Sequence, residues 1–175
     1  MSPRWTPDAN VRRGRSVIYN LHAHLVFVTK YRRGAFTDPM LTRCGQIMAE
    51  VCDKFGATLT EFNGETDHVH LLIHYPPTVQ ISTLVNSLKG VSARYLRQEF
   101  PDHIQKYLWG NHFWSPSYFA ASAGGAPLAI IADYITNQKR PEPTKESDPA
   151  TRDRAVQNQL PPGPKGALKG QASSD

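Results

Sequence analysis

Cysteine is scarce: the 175 residues hold two, Cys44 and Cys52. Both fall on one expected helix, eight positions apart, hence about 12 Å along its axis. That is too far for a disulfide in place, so a disulfide-stapled scaffold is excluded and two buried thiols are expected. No apolar run approaches the roughly 20 residues that span a bilayer. The Arg-rich segment 1–16 lacks the apolar stretch of a secretory signal, which points to the cytoplasm. Internal repeats are absent. Acidic residues are in deficit, 15 against 20 Lys and Arg, for a net charge of +5. From Pro141 onward five basic and five acidic residues cancel, so the whole excess belongs to residues 1–140. A basic folded body favours a polyanion partner, nucleic acid above all. Residues 141–175 also lack any aromatic and hold six prolines, a composition that cannot offset its ordering entropy. The organisation expected is a basic arm over 1–16, one domain over 17–140 and a disordered Pro-rich tail over 141–175.

What remains reads as alternating short elements. Residues 17–29 suggest a long strand with Leu21, Ala23, Leu25 and Phe27 on one face and His22, His24, Val26 and Val28 on the other. After the basic turn Lys30–Gly34, Asp38 is placed to cap a helix with Pro39 at its first position. Apolar residues then recur at Leu41, Cys44, Met48, Val51, Cys52 and Phe55, with Gly56 to end it. Strands over 57–63 and 68–75 are joined by Gly64-Glu65-Thr66-Asp67, a hairpin signal. A second amphipathic helix carries Ile81, Leu84, Val85, Leu88, Val91 and Tyr95 on one stripe. Residues 112–121 suggest a fourth strand interrupted by Pro116, and 126–139 a last helix. The order β-α-β-β-α-β plus a helix is the ferredoxin-like α+β plan with an antiparallel sheet. Fold alone assigns no function.

The chemistry concentrates in three places. His68-Val69-His70 lies on a strand, where period-two geometry sends both imidazoles to one face. A rival pair, His22-Ala23-His24, lies on the first strand, its expected neighbour, and spacing does not choose between them. Tyr134 and Gln138 stand one turn apart on the last helix. A glutamine oxygen is a hard ligand suited to Mg²⁺ or Mn²⁺, and a phenol beside such an ion can attack a phosphodiester. Arg12, Arg13, Arg15, Lys30, Arg32, Arg33, Lys89 and Arg94 offer phosphate contacts. The aromatics of 109–125, Trp114 and Tyr118 among them, offer stacking surfaces for single strands.

HLVFVTKYRR, NGETDHVHLLIHYPP, SLKGVSARYLR, FWSPSYFAASAGG and IIADYITNQ, in this order from Tyr19 to Pro141, together resemble the HUH single-tyrosine transposases of single-stranded-DNA insertion sequences (TnpA-type, peel-and-paste). The resemblance implies that His68 and His70 are the metal pair, Gln138 the third ligand and Tyr134 the nucleophile. It implies Mg²⁺, with Mn²⁺ able to substitute, and a 5′-phosphotyrosine intermediate. It further implies DNA hairpins at element ends as partner, and a homodimer whose tyrosine helices complete each other's sites. The competing readings are a related HUH repeat-processing or domesticated endonuclease, and a non-catalytic ferredoxin-like nucleic-acid-binding module.

Overall fold

The computed structural model describes residues 8–123 and 127–142. Its centre is a four-stranded antiparallel sheet of β3 (His22–Val28), β4 (Thr58–Gly64), β5 (His68–His74) and β6 (Phe119–Ala123). The order β4-β5-β3-β6 makes the expected first and third strands central neighbours, as the split βαβ plan requires. A short ladder of β1 (Arg12–Arg13) and β2 (Ile18–Tyr19) precedes it.

Helices α1 (Asp38–Lys54) and α2 (Ile81–Glu99) pack against each other, and α1 packs on β4. The main core joins Leu25 and Phe27 of β3, Val69, Leu71 and Ile73 of β5, and the buried faces of α1 and α2. Both cysteines are buried free thiols in α1; burial pushes Cys52 up to about 12 and Cys44 higher still. Helix α4 (Pro127–Thr136) makes a second, smaller core with Leu72 and Ala123, through Leu128 and Ile135. Strand β5 is therefore covered on both faces: odd-numbered residues enter the main core and even-numbered ones lie toward α4.

Several sequence-based boundaries shift, each for a local reason. Thr37 rather than Asp38 caps α1, its extended backbone bringing the hydroxyl 3.4 Å from the Met40 amide. Asp38 is instead the ion-pair partner of Arg140 at 2.8 Å. The stripe of α2 runs through Ser92 and Leu96, which are buried, while Tyr95 is exposed. A short helix, α3 (Pro101–Tyr107), was not signalled by periodicity. The expected strand 17–29 breaks at Asn20–Leu21, because β2 turns to pair with β1. The boundary between arm and domain thus runs through a hairpin. The last strand begins at Phe119, and before it only Trp114 bridges to Thr29. The last helix ends at Thr136, short of 139. Residues 143–175 of the expected disordered tail lie outside the described residues, as do residues 1–7 of the arm.

Two glycines are structurally required. Gly56, at φ +69, ends α1 in the left-handed region. Gly64 closes the β4–β5 hairpin so tightly that a Cβ there would collide with the His68 carbonyl oxygen.

Candidate metal and tyrosine site

Strand β5 sets the site. Val69 is fully buried in the main core, which turns His68 and His70 toward the α4 side. His68 Nδ1 lies 2.6 Å from Asp67 Oδ1. His70 Nδ1 lies 3.1 Å from His24 Nε2, reaching across from β3. In both rings Nδ1 is engaged and Nε2 is the nitrogen left to bind. When His70 Nδ1–H donates to His24, Nε2 keeps its lone pair, and that atom is buried without a partner. Burial, then His68 and His24, push His70 down to about 4. It is therefore neutral at pH 7, the state an imidazole ligand needs.

The tyrosine helix closes over this pair within the same chain. The Tyr134 ring stands edge-on to His70, centroids 5.3 Å apart, and 6.4 Å from His24. The residue is still 54% exposed to solvent. One turn on, the Gln138 amide donates to the Tyr134 carbonyl at 3.1 Å, leaving Oε1 as an acceptor.

Asn63, which sequence reasoning passed over, joins β4 to the end of α4 beside His70. It is the register partner of His70 on β4. Its Nδ2 donates to the Thr136 carbonyl at 3.1 Å and more loosely to the Gln138 carbonyl at 3.5 Å. Two carbonyls fix which end of the amide carries the hydrogens, so Oδ1 must face the other way. That oxygen is buried and unpaired. Orphaned polar atoms are rare in native interiors, and here His70 Nε2 and Asn63 Oδ1 belong to paired residues of adjacent strands.

Among the described residues no three His, Cys, Asp or Glu side chains gather as a metal cage. The donor set present is the His68 and His70 imidazoles, ring centroids 5.0 Å apart, with the Asn63 amide on the neighbouring strand. It fits a hard divalent ion that takes its remaining ligands from water or phosphate.

The two histidine pairs, rivals in sequence, divide along the sheet. His24 buttresses His70, whereas His22 stacks on His74, centroids 4.2 Å apart. Burial, then His22 and Arg12, push His74 down to about 4, and burial and Arg12 lower His22.

The expected DNA contacts differ in exposure and in what they touch. Arg12, Arg13 and Arg15 are exposed on or beside the β1–β2 ladder. Lys30, Arg32 and Arg33 sit on a 3-10 turn in which Tyr31 and Arg32 adopt positive φ, 57° and 51°. Arg32 Nε is 3.6 Å from Asp67 Oδ2, linking that turn to the carboxylate behind His68. Two expectations are corrected. Trp114 is a core residue, 6% exposed, its indole N–H donating to Ser92 Oγ. Lys89 is a clamp rather than a free cation: Nζ donates at 2.8 Å to the Ser115 and Ser117 carbonyls and lies over the Phe27 and Tyr118 rings. Burial lowers its pKa. Tyr118 and Arg94 remain exposed along a cleft of about 500 Å³ between α2 and residues 111–118.

Asp67 stood beside the histidine pair in sequence, so a carboxylate next to a candidate ligand was a usable signal. Nothing local marks Asn63, whose role follows from strand register.

The family profile described as "Transposase IS200 like" matches residues 17–138. The ISDra2 transposase TnpA of Deinococcus radiodurans is 30% identical over 128 residues, 73% of this chain and 91% of that protein. The transposase for insertion sequence element IS200 of Salmonella typhimurium is 33% identical over 120 residues, 69% of this chain and 78% of that one. The crystal structure of a candidate transposase from D. radiodurans superposes with a TM-score of 0.60 at 33% identity, covering 74% of this chain and 98% of that one. A REP-associated tyrosine transposase bound to a REP hairpin shares the fold, with TM-score 0.52 at 12% identity over 71% of this chain and 69% of that one.

Proposed function

Since this chain belongs to the IS200-like transposase family, we propose that it cuts and rejoins single-stranded DNA at insertion-sequence ends through Tyr134. The observation that carries the reading is the meeting of Tyr134 with His70, whose ring presents a buried, unpartnered Nε2.

His68, His70 and Gln138 would hold a divalent ion, Mg²⁺ or Mn²⁺, with Asn63 Oδ1 a further oxygen at hand. Bound there, the ion would polarise the scissile phosphate. The exposed Tyr134 hydroxyl attacks phosphorus as its proton passes to solvent, and the bond to the 3′ oxygen breaks. That oxygen takes up a proton from solvent as it leaves, giving a 3′-OH, with the 5′ phosphate joined to Tyr134. Attack by a 3′-OH on the phosphotyrosine reverses the step and frees the tyrosine, so rejoining needs no nucleotide cofactor.

The substrate in this reading is single-stranded DNA folded as a hairpin near the element end, met by the exposed Arg12, Arg13, Arg15 and Arg32 and the half-buried Lys30 and Arg33. Residues 17–140 are the catalytic unit, with the arm and tail as appendages. The resemblance adds a homodimer, and in this chain Tyr134 already reaches its own His70, so a site assembled within one subunit is open to it. No helix among the described residues is long and apolar enough to cross a membrane. We place the activity in the cytoplasm, where its DNA is.

The test is incubation of the full chain with labelled single-stranded element ends and Mg²⁺. A denaturation-resistant protein–DNA adduct is expected. It should vanish with EDTA and in Tyr134→Phe, while that variant still binds the strand. An adduct persisting in Tyr134→Phe would remove this tyrosine as nucleophile, and binding without any adduct would leave a non-catalytic module.

A further inference from the structure

Several cations of the described surface are already engaged. Arg43 pairs with Glu99, Arg140 with Asp38 and Arg32 with Asp67. Lys89 and Arg97 are held by backbone carbonyls. Lys30 and Arg33 have no carboxylate partner among the described residues and each lies on an aromatic face, as Arg94 does on Tyr95. Lys30 Nζ is 5.0 Å from the Tyr31 ring centre, and the Arg33 guanidinium is 4.2 Å from that of Trp109. The two rings are among the most exposed large side chains here, Tyr31 at 77% and Trp109 at 73%. Between them opens a cleft of about 110 Å³, lined by Lys30, Tyr31, Arg33, Tyr107, Leu108 and Trp109 among others. Tyr31 and its neighbour Arg32 also hold positive φ. That conformation is costly for non-glycine residues and is found at ligand clamps.

Exposed rings beside unneutralised cations match one ligand chemistry, a nucleotide whose base stacks and whose phosphates carry negative charge. We infer that this cleft binds one unpaired nucleotide of the DNA strand, its base against Tyr31 and Trp109 and its phosphates on Lys30 and Arg33. The inference deepens the single-stranded-DNA reading and rests on it. The same turn reaches the metal pair through Arg32, Asp67 and His68, so a strand held here lies on a path toward the scissile position.

Binding is measured by fluorescence anisotropy with a short labelled oligothymidylate, in EDTA, on a Tyr134→Phe background so that no cleavage intervenes. Trp109→Ala and Tyr31→Ala should each weaken binding about tenfold, the order expected for a lost base stack. Heparin, a polyanion without bases, should bind both aromatic variants as it binds the parent and so separates lost stacking from lost charge, while circular dichroism reports that they remain folded. Arg33→Lys keeps the charge but loses the planar stack on Trp109, and should weaken oligothymidylate binding more than heparin binding. Wild-type-like oligothymidylate affinity in both aromatic variants would overturn the site, as would an equal loss toward heparin. An adduct on Tyr134 with unaffected Trp109→Ala binding would reject the cleft and keep the transposase. The reverse pattern would keep the cleft and reject the catalytic reading.

Discussion

Asp67 Oδ1 stands 2.6 Å from His68 Nδ1, while the same carboxylate's other oxygen faces Arg32. A carboxylate acceptor on Nδ1 fixes the tautomer and orientation of the ring and leaves Nε2 as the nitrogen that can bind a metal. Because Asp67 precedes His68 directly, the hairpin that forms the strand also installs this partner.

Asp67→Ala should therefore weaken Mn²⁺ binding about 10–100-fold by titration calorimetry. Arg32→Ala should leave it nearly unchanged, since that pair is longer and its arginine is mostly exposed. Normal ion affinity in Asp67→Ala would mean that His68 is oriented by packing alone.

Asn63 ties the end of the tyrosine helix to the strand beside His70. Asn63→Ala removes both hydrogen bonds and should cost about 1 kcal/mol of stability. Asn63→Asp should cost more, because a carboxylate would then face two carbonyl oxygens. Amide hydrogen exchange at 136–138 is the readout, and faster exchange is expected in both variants. Unaltered protection there would show that α4 is held by Leu128 and Ile135 without help from Asn63.

His70 and His74 are both pushed down to about 4, chiefly by burial. An unfolded histidine takes its proton near pH 6.5, so between about pH 6.5 and 4 the unfolded chain binds more protons than the folded one. Stability contributed by the neutral rings is complete above that window, falls as pH drops through it, and levels off below. The thermal midpoint should fall on acidification, and His74→Gln should flatten part of that fall. An identical pH profile in wild type and His74→Gln would rule out a contribution from this ring.

The sheet was legible in sequence because alternation along a strand is a one-dimensional signal. Ala23, Leu25 and Phe27 declare the buried face of β3, and Val69 between two histidines declares that of β5. The last strand was misplaced because residues 112–118 look like strand by aromatic content, although Pro116 cannot donate to a ladder. Trp114 read as a stacking surface for a similar reason: composition marks an aromatic, but only packing against Phe27 and Phe36 shows it buried.

By itself, the sequence determined the order of the main strands and helices, the strand face shared by His68 and His70, and the helical spacing of Tyr134 to Gln138. All three follow from local backbone periodicity. Only the tertiary structure decided that His24 backs His70 while His22 pairs with His74, that Asn63 joins strand to tyrosine helix, and what each cation touches. Those are matters of register and approach between segments far apart in the chain, which no local pattern encodes.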